Sequence, residues 1–405
     1  MARPGRAASE RLTLHGVIVL TALVQIAIVP LLPTLSRTYH LGTTEAGLLL
    51  AAPSLGMLVT SLPVGRVADR FGYRQVTLAA TALLAVAAAL QAAPSLSLLL
   101  AGRVLFGVAY GAVWTTGPSW LSALAATGQG GAGPGAIVTS SAVGSTVGPV
   151  VAGVLAQHLG VRFPFLLITA LAVLLCLALG AVVAGSRPPG SVMPPQAQAV
   201  RWRDVGAVAW RSPGIVGAAI AMLVVGGVGG VTQLLVPLQL HRSGSTDAGI
   251  GALFSLTGVV YVLVSAGAVR LGGRLVSARS TAWGCRLVAL VLLPAAAGRA
   301  TALMVVTVLA FTVARAALNT IAYPLAAQDP HTPQAGPGAV LGLLNAAWAA
   351  STLLAPLLAG WLAGVGGIRL AYLVTAVGAA GWALLIAGRL RIRRPAPARA
   401  LASIG

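Results

Sequence analysis

Long apolar runs, each about twenty residues, alternate along the whole chain with short polar breaks. A bilayer core about 30 Å thick needs roughly 20 apolar residues per crossing helix. The pattern therefore predicts twelve transmembrane helices and no strands. Their predicted ranges are 12–35, 44–64, 75–93, 96–118, 135–158, 162–185, 213–238, 247–269, 281–298, 301–323, 338–363 and 368–388.

One break is much longer than the rest and divides the helices six and six. It is rich in Pro and Arg and predicts three parts: a six-helix bundle over 1–185, a cytoplasmic linker over 186–211, and a second bundle with a basic tail over 212–405. The bundles resemble each other, since "TTEAGLLLAAPSLGML" from 43 recurs as "STDAGIGALFSLTGVV" from 245. Two parallel copies predict a pseudo-two-fold axis along the membrane normal, with a cavity where the copies meet.

Composition excludes a soluble domain, because 58% of residues are hydrophobic and only 8% are charged. The net charge of +20 comes from arginines between the apolar runs, so we interpret it as topology and expect no nucleic-acid partner. Arginines favour placing both termini in the cytoplasm, with 18 in the inside segments against five outside. We thus expect a multi-pass protein of the cell membrane.

Several motifs resemble the Major Facilitator Superfamily, and the resemblance covers nearly the whole chain. "GRVADRFGYR" (65–74) is similar to that family's signature between helices 2 and 3. "RVLFGVAYG" (103–111) resembles its helix 4 signature, and "GSTVGPVVAG" (144–153) its helix 5 pattern in drug/proton antiporters. The resemblance implies a twelve-helix efflux protein that works by alternating access.

The first signature implies a gate. By resemblance, Asp69 faces the N-terminal end of helix 11 and bonds across the two halves, which favours the outward-open state. A plain cluster of inside-positive arginines with a solvated Asp69 is the other interpretation. The gating candidates, with the helix 5 positions that permit close packing and a bend, are Gly65, Asp69, Arg70, Gly72, Arg74, Gly144, Gly148, Pro149 and Gly153, with Pro356 and Gly360 as weaker mirror positions.

Proton coupling is implied by the resemblance, although no acid is predicted inside the bundle. The candidates are Arg103, which resembles the helix 4 arginine that influences proton release, His15 and Asp69. A bond from Arg103 to a backbone carbonyl is the structural alternative. Glu45 and Asp247 are predicted to be repeat mates that complement helix dipoles.

Helices 1, 4, 7 and 10 line the cavity by resemblance. Their substrate-binding candidates are Gln25, Tyr110, Trp114, Gln233, Arg315 and Asn319. This mixture suits an amphiphilic organic molecule, anionic or neutral. Arg315 snorkelling to the headgroups, and polar groups satisfying one another between helices, remain as alternatives.

The leading hypothesis is a monomeric secondary exporter of small organic compounds that exchanges with protons. The alternatives are an organic-anion or sugar-type carrier and, in another class, a membrane sensor that moves no solute. We expect no enzyme, because catalytic motifs, a phosphate-binding loop and a metal-ligand cluster are missing from the sequence. We also expect no cofactor and no metal.

Overall fold

The computed structural model describes residues 4–61, 63–126, 134–184, 210–271, 276–298, 300–335 and 337–392. Every regular element in these ranges is an α-helix, as predicted. The N-terminal half contains α1 (Pro4–Thr38), α2 (Thr43–Ser61), α3 (Pro63–Phe71), α4 (Tyr73–Ala92), α5 (Leu96–Ala126), α6 (Pro134–Leu159) and α7 (Phe163–Ala184). The C-terminal half contains α8 (Pro213–Arg242), α9 (Asp247–Leu271), α10 (Ala278–Val291), α11 (Leu293–Ala297), α12 (Thr301–Ala327), α13 (Thr332–Ala335) and α14 (Pro337–Ile392).

Each predicted crossing has a helix, but two boundaries differ from prediction. The second crossing ends at Ser61, and the signature loop after it folds as the short helix α3. The ninth crossing is broken at Leu292, just before Pro294, into α10 and α11. The last two crossings, both carried by α14, are two helices that join directly at Gly367, within the predicted break between 363 and 368; there the backbone leaves the helical range and φ is 81°. A positive φ is cheap only for glycine, so Gly367 turns the chain back into the bilayer without a separate loop.

Helices α1 and α8 occupy the centre of the bundle and are the most buried crossings. Across the two halves, α2 packs on α14, α6 packs on α9, and α1 contacts α8 and α9. Leucines on the outer crossings point away from the protein, for example Leu177 at 66% exposure and Leu263 also at 66%. The predicted linker over 186–211 lies almost wholly outside the described residues, so the domain boundaries remain a prediction.

Among the residues that the structure describes, hydrogen bonds between the halves concentrate toward one end of the bundle. Thr34 donates to Asp247 at 2.6 Å, and Thr43 donates to the carbonyl of Gly360 at 2.7 Å. We call this end, which carries residues 34–43, 153–160, 242–247 and 360–367, the sealed end. The opposite end, where α1 begins and α14 ends, is the terminal end. Closer to the middle of the bundle, Ser54 pairs with Thr352 at 3.2 Å.

Glycines bring the two halves into backbone contact, and they do so twice in the same manner. A Cβ on Gly153 would overlap the carbonyl of Asp247, and one on Gly360 would overlap the carbonyl of Thr43. Glycine is therefore the residue that permits helices to approach this closely in a membrane. Two further pairs repeat the pattern one turn along: Gly251 against the carbonyl of Pro149, and Gly47 against the carbonyl of Pro356.

These paired contacts change the predicted repeat register. They match Thr43, and not Glu45, with Asp247. The difference explains why the two acids have different surroundings. Glu45 is exposed, and its carboxylate folds back over Gly42, as a first-turn acid does. Asp247 is buried between the halves, where it accepts the bond from Thr34. Helix-dipole complementation thus suits Glu45, whereas Asp247 joins the halves.

Candidate functional site

A cluster of aromatic and polar side chains surrounds Arg315 near the middle of α12. The Arg315 guanidinium lies over the ring of Tyr261 on α9, 5.1 Å from its centroid. Asn319, one turn along α12, donates to the Tyr261 hydroxyl at 3.1 Å. One more turn along, Tyr323 donates to Asn345 on α14 at 3.1 Å. Residues four apart share a helix face, so α12 presents a continuous polar stripe.

The opposite wall of this cluster comes from the other half. Tyr110 on α5 is close enough to Arg315 and Tyr323 to interact with both electrostatically. Its ring lies 5.7 Å from that of Phe106, at an interplanar angle of 66°, and 5.7 Å from that of Trp114, at 32°. We call Tyr110, Trp114, Tyr261, Arg315, Asn319 and Tyr323 the central cluster. It joins helices of both halves, in the position expected for a binding site between them.

Buried polar atoms of the central cluster lack a protein partner. They include Nε1 of Trp114 and Oδ1 of Asn319. A buried donor or acceptor without a partner costs about 1–3 kcal/mol, so these atoms favour a ligand that can bond to them. Arg315 adds a positive charge, and the aromatic faces add apolar area. The arrangement suits an organic molecule with an aromatic or apolar body and polar or anionic groups.

Two of the predicted ligand contacts have no described bond to the central cluster, so their role stays a prediction. Gln25 on α1 and Gln233 on α8 are half-buried, and no described hydrogen bond links either to the central cluster. Oε1 of Gln25 is also unpartnered. Conversely, sequence reasoning missed Tyr261, Tyr323 and Asn345. The spacing of Tyr323, four residues after Asn319 and eight after Arg315, is a signal that places it on the same face.

Arg103 is buried at 1% exposure on α5, and the structure gives it a structural bond. Its Nε donates to the carbonyl of Leu49 on α2 at 3.2 Å, and its guanidinium lies 5.6 Å from the Phe106 centroid. This bond is the alternative that the sequence left open. Nη1 of Arg103 has no described partner, so neither of its two N–H donors is used.

The helix 5 pattern serves two separate contacts. Gly144 and Gly148 lie against the backbone of Val19 and Leu23, and so pack α6 on α1 within one half. Gly153, further along α6, contacts the other half instead. Pro149 is buried, and its carbonyl lies against Gly251. The predicted gating positions of this motif are therefore divided between packing within one half and contact between the two halves.

The signature between the second and third crossings is partly described. The Asp69 side chain lies outside the described residues, so its predicted bond to helix 11 stays a prediction. Gly72 has φ of 88° and makes the turn between α3 and α4. Arg70 is exposed and lies over Phe71 at 5.4 Å. A Cβ on Gly65 would meet no described atom within 4 Å, so in this conformation Gly65 makes no close helix contact.

Arg74, the last arginine of that signature, has a structural role within its own half. It forms an ion pair with Glu10 of α1 at 3.0 Å, and lies 5.6 Å from the Trp120 centroid. Both partners are largely buried. Arg74 therefore ties the starts of α1 and α4 to the end of α5, at the terminal end.

His15 bonds to Ser140 across α1 and α6, with Nδ1 and Oγ 2.8 Å apart. Ser140 donates its only hydroxyl proton to the carbonyl of Ala136 at 3.0 Å. In that arrangement Nδ1 of His15 donates to Ser140, whereas in the other tautomer Nδ1 accepts from the Ser140 hydroxyl. In either case the bond joins α1 to α6.

Asp329 lies in the turn after α12 and fixes the start of α8. It accepts bonds from the backbone of Gly214 at 3.1 Å and from the backbone and Nδ1 of His331, each at 3.0 Å. Burial alone raises the pKa of Asp329, but the bonds from Ser212, His331 and Gly214 outweigh it and hold the pKa below its ordinary value. Asp329 is thus a stabilising cap. Among the described residues, no group of three or more His, Cys, Asp or Glu side chains has metal-binding geometry.

Known proteins share both the sequence pattern and the fold. Residues 14–336 match the family model described as Major Facilitator Superfamily. The chain is 33% identical over 226 residues to an uncharacterised MFS-type transporter of Mycobacterium tuberculosis (strain ATCC 25618 / H37Rv), covering 54% of this chain and 49% of that protein. It is 32% identical over 148 residues to the MFS-type transporter ppzB of Metarhizium majus (strain ARSEF 297), covering 34% and 32%. The chain thus spans about a third to a half of the length of these curated relatives.

Solved structures match over nearly the full chain, at identities that show the fold alone. A bacterial homologue of the human lysosomal transporter Spinster, in an inward-facing and unoccupied conformation, superposes with a TM-score of 0.78 at 15% identity, over 98% of this chain and all of that one. A D-xylose–proton symporter gives 0.71 at 17% identity, over 93% and 96%. Because the family pattern covers most of the chain and the twelve-helix fold is shared, this protein belongs to the Major Facilitator Superfamily, whose members are membrane transporters and not enzymes.

Proposed function

We propose that the protein exports small organic, amphiphilic molecules across the cell membrane by alternating access, in exchange for protons. The observation that carries this proposal is the central cluster, which lies between two halves that hydrogen-bond to each other toward one end. An alternating-access carrier needs a binding site between its two halves and a contact that closes one end of the cavity. The bundles are taken as 1–185 and 212–405, joined by the linker.

The proposed orientation places both termini in the cytoplasm. Eighteen arginines then lie on inside segments and five outside, which agrees with the positive-inside rule. In that orientation the sealed end is the outer end, and the structure is inward-facing. Similarity to the inward-facing Spinster homologue supports this assignment.

Opening to the outside would separate the pairs at the sealed end and close the terminal end. Bonds from Thr34 to Asp247 and from Thr43 to Gly360 would break. Asp69 would then reach the start of the eleventh crossing, where an acid at a helix N-terminus is stabilised by about 0.3–1 kcal/mol or more. Each state is thus held by contacts that the other state lacks, which is what an alternating equilibrium requires.

Proton coupling is assigned to three candidates: Asp69, Arg103 and His15, whose Nδ1 lies 2.8 Å from Oγ of Ser140. The proposed test is transport in proteoliposomes with and without a pH gradient. A rate that ignores the gradient in the wild type would remove antiport and leave facilitated transport.

An organic-anion carrier is the second candidate, and one observation favours it. Arg315 carries the only formal charge in the central cluster, and no described acid pairs with it. A cationic substrate would meet an uncompensated positive charge, whereas a carboxylate or sulfonate would find a partner. A sugar-type carrier has no comparable observation in its favour.

Counterflow with matched anionic, neutral and cationic aromatic compounds separates these functions. Arg315→Gln is expected to weaken uptake of anions by on the order of tenfold or more, because one charged partner is lost. Arg286→Gln is the matched control, since Arg286 makes a similar contact with Trp283, 4.7 Å from its centroid, but on α10 away from the central cluster. Equal losses in both variants would show that Arg315 acts through stability and not through the substrate.

A further inference from the structure

A second polar cleft lies between the two halves at the sealed end, away from the central cluster. Its cavity volume is about 260 Å³. The end of α1 and the start of α2 form one wall, and the last turns of α8 form the other. Its lining residues are Pro33, Ser36, Arg37, Leu41, Gly42, Thr43, Leu238, His241 and Arg242.

The lining is basic, and the basic groups come from both halves. Arg37 belongs to α1, whereas His241 and Arg242 belong to α8. No acid lines the cleft, and no described hydrogen bond or ion pair involves the side chain of Arg37 or Arg242. Two described acids lie beside the lining: Glu45, whose carboxylate folds over Gly42, and Asp247, which accepts the bond from Thr34 next to Pro33.

Buried polar atoms in the lining also lack partners. Oγ of Ser36 and Nδ1 of His241 are both buried without a hydrogen bond. Each can donate to an oxygen atom. Arg37 and Arg242 each stand in the last turn of a helix, where a cation complements the helix dipole. That effect accounts for either arginine alone, but not for their convergence on one cleft with two unsatisfied groups.

We propose that this cleft, the sealed-end cleft, binds an anion that carries a phosphate or carboxylate group. One buried water needs roughly 10–15 Å³, so the cavity has room for such a group together with bridging waters. Arg37 and Arg242 supply charge-assisted bonds, and Ser36 and His241 supply neutral ones. The source is either the headgroup of an anionic lipid or a free anion in solution.

Because the two walls belong to different halves, the anion binds fully only when the sealed end is closed. A ligand that binds one of two states shifts the equilibrium toward that state by its differential affinity. The bound anion therefore stabilises the sealed conformation. This inference concerns a separate site, and it holds whatever the central cluster transports.

The test uses the full-length protein in nanodiscs, with the halves monitored by a pair of spin labels at His158→Cys and Thr246→Cys on the sealed end. One arm adds inorganic phosphate to phosphatidylcholine nanodiscs. The second arm replaces part of the lipid with phosphatidylglycerol and omits phosphate. A rise in the sealed population in the first arm identifies a free anion, and a rise in the second identifies a lipid headgroup. No rise in either arm overturns the proposal.

Variants then decide whether the effect belongs to the cleft. Arg37→Gln with Arg242→Gln is expected to raise the half-effective anion concentration by on the order of tenfold or more, whereas Arg369→Gln, on the same end but outside the lining, leaves it unchanged. Glu45→Gln is expected to lower it, because a nearby negative charge is removed. An anion effect that survives in the double variant, or falls equally in Arg369→Gln, overturns the proposal.

Discussion

Gly153 offers the most direct test of how the two halves meet. A Cβ at this position would overlap the carbonyl of Asp247 and would lie 3.1 Å from the Cα of Ala248. Both neighbours are backbone atoms in the first turn of α9, so no side-chain rotation can relieve the overlap. The substitution Gly153→Ala must therefore push α6 and α9 apart at the sealed end.

The size of the effect follows from the single methyl group that is added. Forcing an extra carbon into a packed contact costs about 1–3 kcal/mol. Here the cost falls only on the sealed conformation, because the contact is absent when that end opens. A difference of about 1–3 kcal/mol changes the ratio of two states by roughly 5–150-fold. Gly153→Ala is therefore expected to move the protein toward its outward-open state.

Distances between spin labels at His158→Cys and Thr246→Cys report this change directly. Both positions are exposed and lie on opposite sides of the contact between α6 and α9. Cys176 is replaced by Ala, while Cys285 is buried and stays unlabelled in the folded protein. The variant is expected to gain a population at longer distance.

A matched control separates the overlap from the loss of a helix glycine. Gly267 lies on α9, where a Cβ would meet no described atom within 4 Å. Gly267→Ala is therefore expected to keep the wild-type distances. Wild-type distances in Gly153→Ala would refute the inference that this contact seals the end.

Three further outcomes are expected. Asp247→Asn replaces a charge-assisted bond from Thr34 with a neutral one, a loss of about 1 kcal/mol. The spin labels at positions 158 and 246 should then report several-fold less of the sealed state. An unchanged ratio of sealed to open protein would show that the bond from Thr34 contributes nothing to closure. Asp329→Asn should lower thermal stability by about 1–2 kcal/mol at neutral pH. Since its folded pKa is below the ordinary 3.8, that stability is present above pH 3.8 and disappears as the pH falls through the folded value; a pH-independent difference in melting temperature would contradict the charge-based account. Arg103→Met should fold with little change in melting temperature, because an apolar side chain often replaces a buried charge without loss of stability. The variant should nevertheless lose transport driven by the pH gradient. If transport still responds to the gradient, Arg103 is not part of the proton path.

The crossings were predictable because the bilayer imposes one length on every helix. Apolar runs of about twenty residues carried that information, and each has its helix in the structure. Breaks inside the runs were less visible. The break at Leu292, just before Pro294, lies inside an apolar run that hydropathy predicts as one helix.

The repeat register shows why a match of residue types can give the wrong alignment of the two halves. The sequence pairs Glu45 with Asp247 because both are acids after a pair of hydroxyl residues. Backbone contacts pair Asp247 with Thr43 instead, two residues earlier. Only packing against the partner helix determines which turn of α2 or α9 meets a glycine, and a one-dimensional match cannot contain that information.

The central cluster was half predictable. Tyr110, Trp114, Arg315 and Asn319 were found as polar or aromatic residues on cavity-lining helices. Tyr261 was not, because α9 has no comparable pattern and its ring matters only through its position over Arg315. Which polar atoms remain unpartnered likewise depends on tertiary contacts. The sequence therefore could not predict the sealed-end cleft, whose proposal rests on unpartnered atoms of Ser36 and His241.

The glycine contacts at the sealed end have the symmetry of an isologous dimer. In such a dimer, residue i of one copy meets residue j of the other, and j meets i. Gly153 meets Asp247 as Gly360 meets Thr43, although all four belong to one chain. The interface is built from backbone atoms and small residues, so its shape survives when the side chains around it diverge. Thr43 and Asp247 are therefore free to differ, and each half can acquire its own polar bonds without losing the fit between the two.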